Sequence, residues 1–331
     1  MAIRPSRMSL ALLLVLWCHA ACGLTWVVAS SVSSSTYSGF RLDTLPGVWR
    51  EHPWSVVPGV VVMLLGAAML GGAIVRSAAV EATGHEPISP PQALRFAAQH
   101  WFTFFFTPVL PLLVVAVLGV VLLSGLSGGL LLRLPWVQIV GAVLFGGVLL
   151  VGVLLTLILI ALVAGAALIY PAVAIDRADA LDALSRAYNY ALGRPWQLLF
   201  YGLVAAVYGI LTLGFLTVVA ALTLAIVRGF VSSGLAVTGF PHPERVLAGL
   251  RLAGPAPVME SEPNVSASVT AVIVGIWVYL FKALLPSYAF SFLLCSQTQM
   301  YLLLRRHADG TELDELFEPE ATSGDEGDPS T

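Results

Sequence analysis

Charge is what this sequence has least of. Asp, Glu, Lys and Arg make up 11% of its 331 residues, while 58% are hydrophobic. Soluble domains carry about 25% charged residues. Several apolar runs exceed the roughly 18 residues that mark a membrane helix, so the soluble globular class is excluded and a bilayer is implied. No basic patch lies outside those runs, which excludes nucleic-acid binding. The net charge of −3 is unevenly placed. Nine of the nineteen acids fall in residues 309–328, and no Lys or Arg follows Arg306. Without that tail the chain is positive.

Cysteine is scarce as well. Cys18, Cys22 and Cys295 all lie in apolar runs, so a disulfide framework is not expected. "WCHAACG" brings Cys18, His19 and Cys22 together, but their spacing is not that of a zinc pair and no second pair follows. The haem-attachment order, two Cys then His, is not met. A Ser/His/Asp set, a Gly-rich phosphate loop and a His/Glu zinc motif are also missing. No catalytic, cofactor-binding or metal-binding residue is therefore nominated, and no cofactor is expected. Missing motifs argue only weakly against an enzyme.

What is present is six apolar spans. They fall at about residues 8–31, 54–75 and 104–123, and within 137–169, 196–227 and 268–304. The last three exceed the roughly 20 residues that a bilayer requires, so they must tilt, kink or project. Pro286 is expected to kink the sixth. A break at Leu285-Pro286 would make a seventh span but leaves almost no turn. The first span, with Arg4 and Arg7 before it, is either a retained helix or a signal peptide. Its apolar run continues through "GLTWVVAS", longer than a usual signal core, which favours the helix.

Lys and Arg set the orientation. With the N-terminus inside, nine basic residues lie inside and six outside, so both termini are expected in the cytoplasm. The chain reads as an integral cell-membrane protein with one polytopic domain, residues 1–307. An acidic tail, 308–331, follows. The tail is expected to be disordered, with "TELDELF" able to form a helical turn against a partner.

Between two spans lies "ADALDALSRAYNYALGRPW", residues 178–196. Leu181, Leu184, Tyr188 and Leu192 fall on one helical face, with Asp182, Arg186 and Asn189 on others. Asp176 or Asp179 can cap the start, Gly193 can end the helix and Pro195 forbids its continuation. The spacing predicts an amphipathic helix of about 14 residues on the inner membrane face. Asp176, Asp179 and Asp182 also form a carboxylate cluster. Capping explains it better than a cation site. "SPPQALRFAAQHW" repeats the device: Ser89 caps, Pro90 starts, and Leu94, Ala97, Ala98 and Trp101 line one face, with Arg95 off it. An offset of 90 residues pairs Ala93 with Ala183 and Ala97 with Ala187. The expected fold is thus an all-α membrane bundle of about six spans and two inner-face amphipathic helices. A parallel internal repeat is expected, with halves at about 54–125 and 137–228.

The stretch "YPAVAIDRADALDALSRAYNYALGRPWQLLFYGLVAAVYGIL", residues 170–211, resembles uncharacterised bacterial polytopic membrane proteins of the inner membrane. It is also loosely similar to the membrane domain attached to some glycerophosphodiester phosphodiesterases. The matching residues are Pro171, Ala172, Asp176, Ala183, Leu184, Ser185 and Arg186. Residues 72–113 and the ending "YLLLRRHADGTELDELFEPE" resemble the bacterial proteins too. The resemblance implies a fold and a location, not a reaction. This chain has no room for the phosphodiesterase catalytic barrel.

Lysine is all but absent. Lys282 is the only one and lies inside the sixth run. An ionisable residue in a span invites a functional reading, while snorkelling to the outer headgroups is the plainer one. Ser287, Ser291, Ser296, Gln297, Thr298 and Gln299 add polarity to the same helix, either as interhelical hydrogen bonds or along a substrate path. Ala67/Gly71 and Ala68/Gly72 permit close helix packing.

The expected partners are the lipid bilayer and a membrane protein held through the surface helices, at Arg95, Asp182 and Arg186, or through the acidic tail. The expected function is a non-enzymatic membrane scaffold or accessory subunit. The alternative is a transporter or lipid-handling protein with its path at the repeat interface, using Lys282, Gln297 and Gln299.

Overall fold

The computed structural model describes residues 4–32, 54, 56–119, 135–238 and 265–310. The acidic tail beyond Gly310 and the loop between the fifth and sixth spans lie outside the described residues. Among the described residues helix is the only regular secondary structure, with no strand. The helices are α1 (Pro5–Val32), α2 (Val56–Gly66), a π-helical turn (Ala67–Gly71), α3 (Gly72–Ala82), α4 (Pro90–Gln99), α5 (Trp101–Leu118), α6 (Pro135–Asp176), α7 (Ala180–Gly193), α8 (Pro195–Thr238) and α9 (Val265–Asp309).

Among the described residues four stretches are long and apolar enough to cross a bilayer: Pro5–Thr25, Val56–Ala82, Pro195–Gly234 and Ile273–Asp309. The number becomes six if each of two bent pairs is one span. One pair is α4 with α5, bent by 61° at His100, and the other lies within α6, bent by 42° between Gly152–Leu162 and Ala164–Asp176. The second bend falls beside Gly165 and two turns before Pro171, whose ring removes a ladder hydrogen bond. Pro286 lies inside the uninterrupted α9, so the sixth run does not split into a sixth and a seventh span.

The long-range contacts cluster into two units, each built from separated stretches. The first comprises Met1–Ile74 and Leu199–Ser296. Its closest approaches are glycine-mediated. A Cβ on Gly59 would lie 2.0 Å from Thr25 Cγ2, and one on Gly66 would lie 2.1 Å from the Trp17 ring. The Trp17 indole N–H also donates to the Val62 carbonyl at 2.6 Å. So α1 and α2 meet along Gly59 and Gly66, seven residues apart. Ala68, Gly71 and Gly72, the small residues singled out from sequence, are buried as well, in and after the π turn of Ala67–Gly71. Further along this unit, α8 leans on α9 through Leu224 and Val278, with Gly209 against Phe292.

The second unit comprises Val75–Leu198 and Gln297–Thr331. Its core is rich in alanine, with Ala93, Ala97, Ala172, Ala174, Ala183 and Ala187 all fully buried. Small side chains let helix backbones approach closely, and dispersion then holds the contact. Phe104 stacks on Tyr170 at 5.6 Å and ties α5 to α6. Gly165 faces the Tyr188 ring, which a Cβ would meet at 2.5 Å, and this brings α7 onto α6.

Both short helices form where the sequence places them. At α4, the Ser89 N–H and Oγ both donate to Gln92 Oε1 at 2.9 Å, and Pro90 opens the helix. At α7, Asp179 holds the extended N-cap conformation without a side-chain cap bond, and Arg194-Pro195 ends the helix. The packed face of α7 is lined mostly by small residues. Ala183, Ala187, Tyr190 and Ala191 are buried, whereas Leu181 and Leu192 are 69% and 59% exposed. Close helix packing selects the small residues, and the leucines are left outward.

Candidate functional site

The polar residues of the second unit gather at the end of α6. Asp176 is the last residue of that helix, and only 6% of its side chain is exposed. The Tyr301 hydroxyl of α9 donates to its Oδ2 at 2.5 Å. Arg305, one turn further along α9, places a guanidinium nitrogen 3.4 Å from Oδ1. Arg186 of α7 places one 3.5 Å from Oδ2. A carboxylate with so little exposure needs this much compensation, because desolvation penalises the bare charge by several kcal/mol.

A second link lies beside the first. The buried Tyr190 of α7 packs edge-on against Tyr301 at 5.5 Å, and its hydroxyl donates to Asp309 at the end of α9. Burial, reinforced by that bond and the Asp309 charge, holds the Tyr190 phenol well above its ordinary range. On the outer side of α7, Arg186 Nε donates to Asp182 at 3.0 Å, a pair one turn apart with both members about half exposed. This bond is the main reason the Arg186 guanidinium is pushed higher still. Such an exposed pair contributes only about 0.3–0.5 kcal/mol.

An aromatic group lies alongside. Phe96 of α4 stacks on His100 at 4.5 Å and meets Phe104 at 6.4 Å. The Arg76 guanidinium lies 4.6 Å from the Phe96 ring centre, and that of Arg177 lies 5.9 Å away. Arg76 also donates to the Ala174 carbonyl at 2.7 Å, satisfying one of the open carbonyls at the end of α6.

Of the residues singled out from sequence, Asp182 and Arg186 come together and join the Asp176 cluster. Asp176 is an ion-pair centre and not a helix cap. Arg95 is exposed on α4. Gln297 and Gln299 are half-buried on either side of the fully buried Thr298. Lys282 is half-buried in the part of α9 that belongs to the first unit. On the same helix Ser287 and Ser291 are fully buried, and the Ser287 hydroxyl donates to its own helix at Ala283.

Sequence reasoning missed Tyr190, Tyr301, Arg305 and Asp309, whose partners lie more than a hundred positions away. It also missed Arg7 of the first unit. Arg7 is 1% exposed and donates to Cys295 Sγ at 3.6 Å. Cys18 and Cys22 are half-buried free thiols. Among the described residues no group of three or more His, Cys, Asp or Glu is placed to hold a metal ion.

In chemical terms the Asp176 cluster is a closed set. Its carboxylate accepts from a phenol and lies between two guanidiniums, which fixes α6, α7 and the end of α9 together. Comparison of the chain with protein-family models, with curated proteins and with solved structures found no match.

Proposed function

We propose that this multi-pass membrane protein acts as a scaffold or accessory subunit that presents its surface helices, α4 and α7, to a partner on the cytoplasmic face. The observation that carries this reading is the Asp176 cluster. It commits charged and phenolic groups of α6, α7 and α9 to holding α7 in place, while Leu181 and Leu192 stay exposed on that helix. Trp101 after α4 and Trp196 after α7 are also exposed, at the depth where indoles settle in a bilayer. Cytoplasmic placement rests on the excess of Lys and Arg inside. Burial of Ala93 with Ala97, and of Ala183 with Ala187, supports a repeated span–surface helix–span unit.

The test is purification in native lipid particles of the wild type and of a Leu181→Asp/Leu192→Asp variant. A stoichiometric polypeptide should accompany the wild type and be lost from the variant at unchanged Tm. A wild type that carries only bulk lipid overturns the scaffold reading. The transport alternative rests on Lys282, half-buried and five residues before the fully buried Ser287. It requires Lys282→Gln to abolish flux of a solute or lipid in reconstituted vesicles without loss of folding.

A further inference from the structure

Arg177 is the residue of the second unit that the Asp176 cluster leaves unexplained. It follows the last residue of α6 with φ at +49°, and among the described residues it is the only non-glycine with a positive φ. Its Cβ disfavours that conformation, which Gly or Asn would adopt more readily. Strained backbone of this kind is retained where the side chain has a use. The Arg177 Nε is buried and has no hydrogen-bond partner among the described residues. Its guanidinium lies over the Phe96 ring, where Arg76 also lies. A guanidinium presents its N–H donors in a planar fork suited to two oxygens of one anion. Phe96 lies just before the bend at His100, and Trp101 and Phe102, 45% and 57% exposed, lie just after it. Such aromatics mark the membrane–water boundary, so the pair of cations lies at headgroup depth.

We infer that Arg177, with Arg76 and the Phe96 ring, forms a binding site for a phosphate group, carried by an anionic phospholipid headgroup or by a soluble phosphate. Arg76 keeps its bond to the Ala174 carbonyl in this arrangement. The inference does not depend on the scaffold reading, because a site for phosphate can serve a scaffold or a transporter equally.

The full chain, purified in detergent, is examined by native mass spectrometry with equimolar phosphatidylglycerol and phosphatidylcholine. Its Tm is measured separately with and without millimolar inorganic phosphate. The informative variant is Arg177→Gly, which removes the guanidinium and accepts the positive φ, so that folding is preserved. If it is not recovered folded, Arg177→Gln answers the same question. Phe96→Leu removes the ring and keeps both charges.

The expected result is selective retention of phosphatidylglycerol by the wild type, falling about tenfold in Arg177→Gly and by less in Phe96→Leu. A Tm rise with phosphate in the wild type alone, without lipid preference, assigns the site to a soluble phosphate. Equal behaviour of wild type and Arg177→Gly toward both probes, or no response to either, overturns the inference. Arg177 would then only complement the negative end of α6.

Discussion

Asp176 shows what a single carboxylate demands at the end of a membrane helix. Two guanidiniums and a phenol from two other helices converge on it. Removing the carboxylate takes away the group on which Arg186 and Arg305 converge and leaves the buried Tyr301 hydroxyl without its acceptor. Asp176→Ala should therefore cost roughly 1–3 kcal/mol, seen as a lowered Tm of the detergent-purified protein. Asp182→Ala should change Tm little, because its pair with Arg186 is exposed. Equal losses in the two variants would refute the distinction. Tyr190 makes a pH prediction. Its phenol titrates higher in the folded chain than in the unfolded one, since burial and its bond to Asp309 favour the protonated form. The resulting stability is complete below the ordinary tyrosine pKa of about 10 and is lost as pH rises through the higher folded value. Tyr190→Phe should flatten this alkaline loss in thermal melts, and an unchanged slope would count against it.

At the scale of helices, α6 and α7 pack through Gly165 and the Tyr188 ring. Gly165→Val should separate them and lower Tm, while Gly193→Ala, where a Cβ meets nothing within 4 Å, should leave that contact intact. Protease sensitivity of α7 measures this directly. If both variants resist protease like the wild type, the glycine contact is not what positions the helix. Helix positions were legible in the sequence because apolar runs, Ser89-Pro90 and Gly193-Arg194-Pro195 are local signals. Which face of α7 packs on the bundle was not legible, because leucines suit the headgroup boundary as well as a helix contact, and close approach selects Ala183, Ala187 and Ala191. The Asp176–Tyr301 bond was illegible for a different reason. Its partners are 125 residues apart, and no spacing rule reaches across a fold. Arg7 was hidden too, since a basic residue before a span reads as solvated, yet it is buried beside Cys295.

For the molecule as a whole, α6, α8 and α9 have 42, 44 and 45 residues. At 1.5 Å per residue each is about 65 Å long, twice the roughly 30 Å hydrocarbon layer. Tilt alone does not absorb such an excess, so parts of these helices stand outside the hydrocarbon. On a background with the native cysteines replaced, Ser185→Cys and Ala308→Cys should react with an impermeant thiol reagent only after the cells are opened. Labelling of either in intact cells would reverse the orientation.

The bond between Arg7 and Cys295 also has a meaning in time. These residues are 288 positions apart. At about 5–20 residues per second, a ribosome takes roughly 15–60 s to make the second after the first. During that interval the first helix has entered the membrane and the sulfur that receives its arginine has not been made. The nascent chain must carry this arginine through nearly all of its synthesis. A message cut short before the last helix would yield a protein whose first helix never acquires this partner.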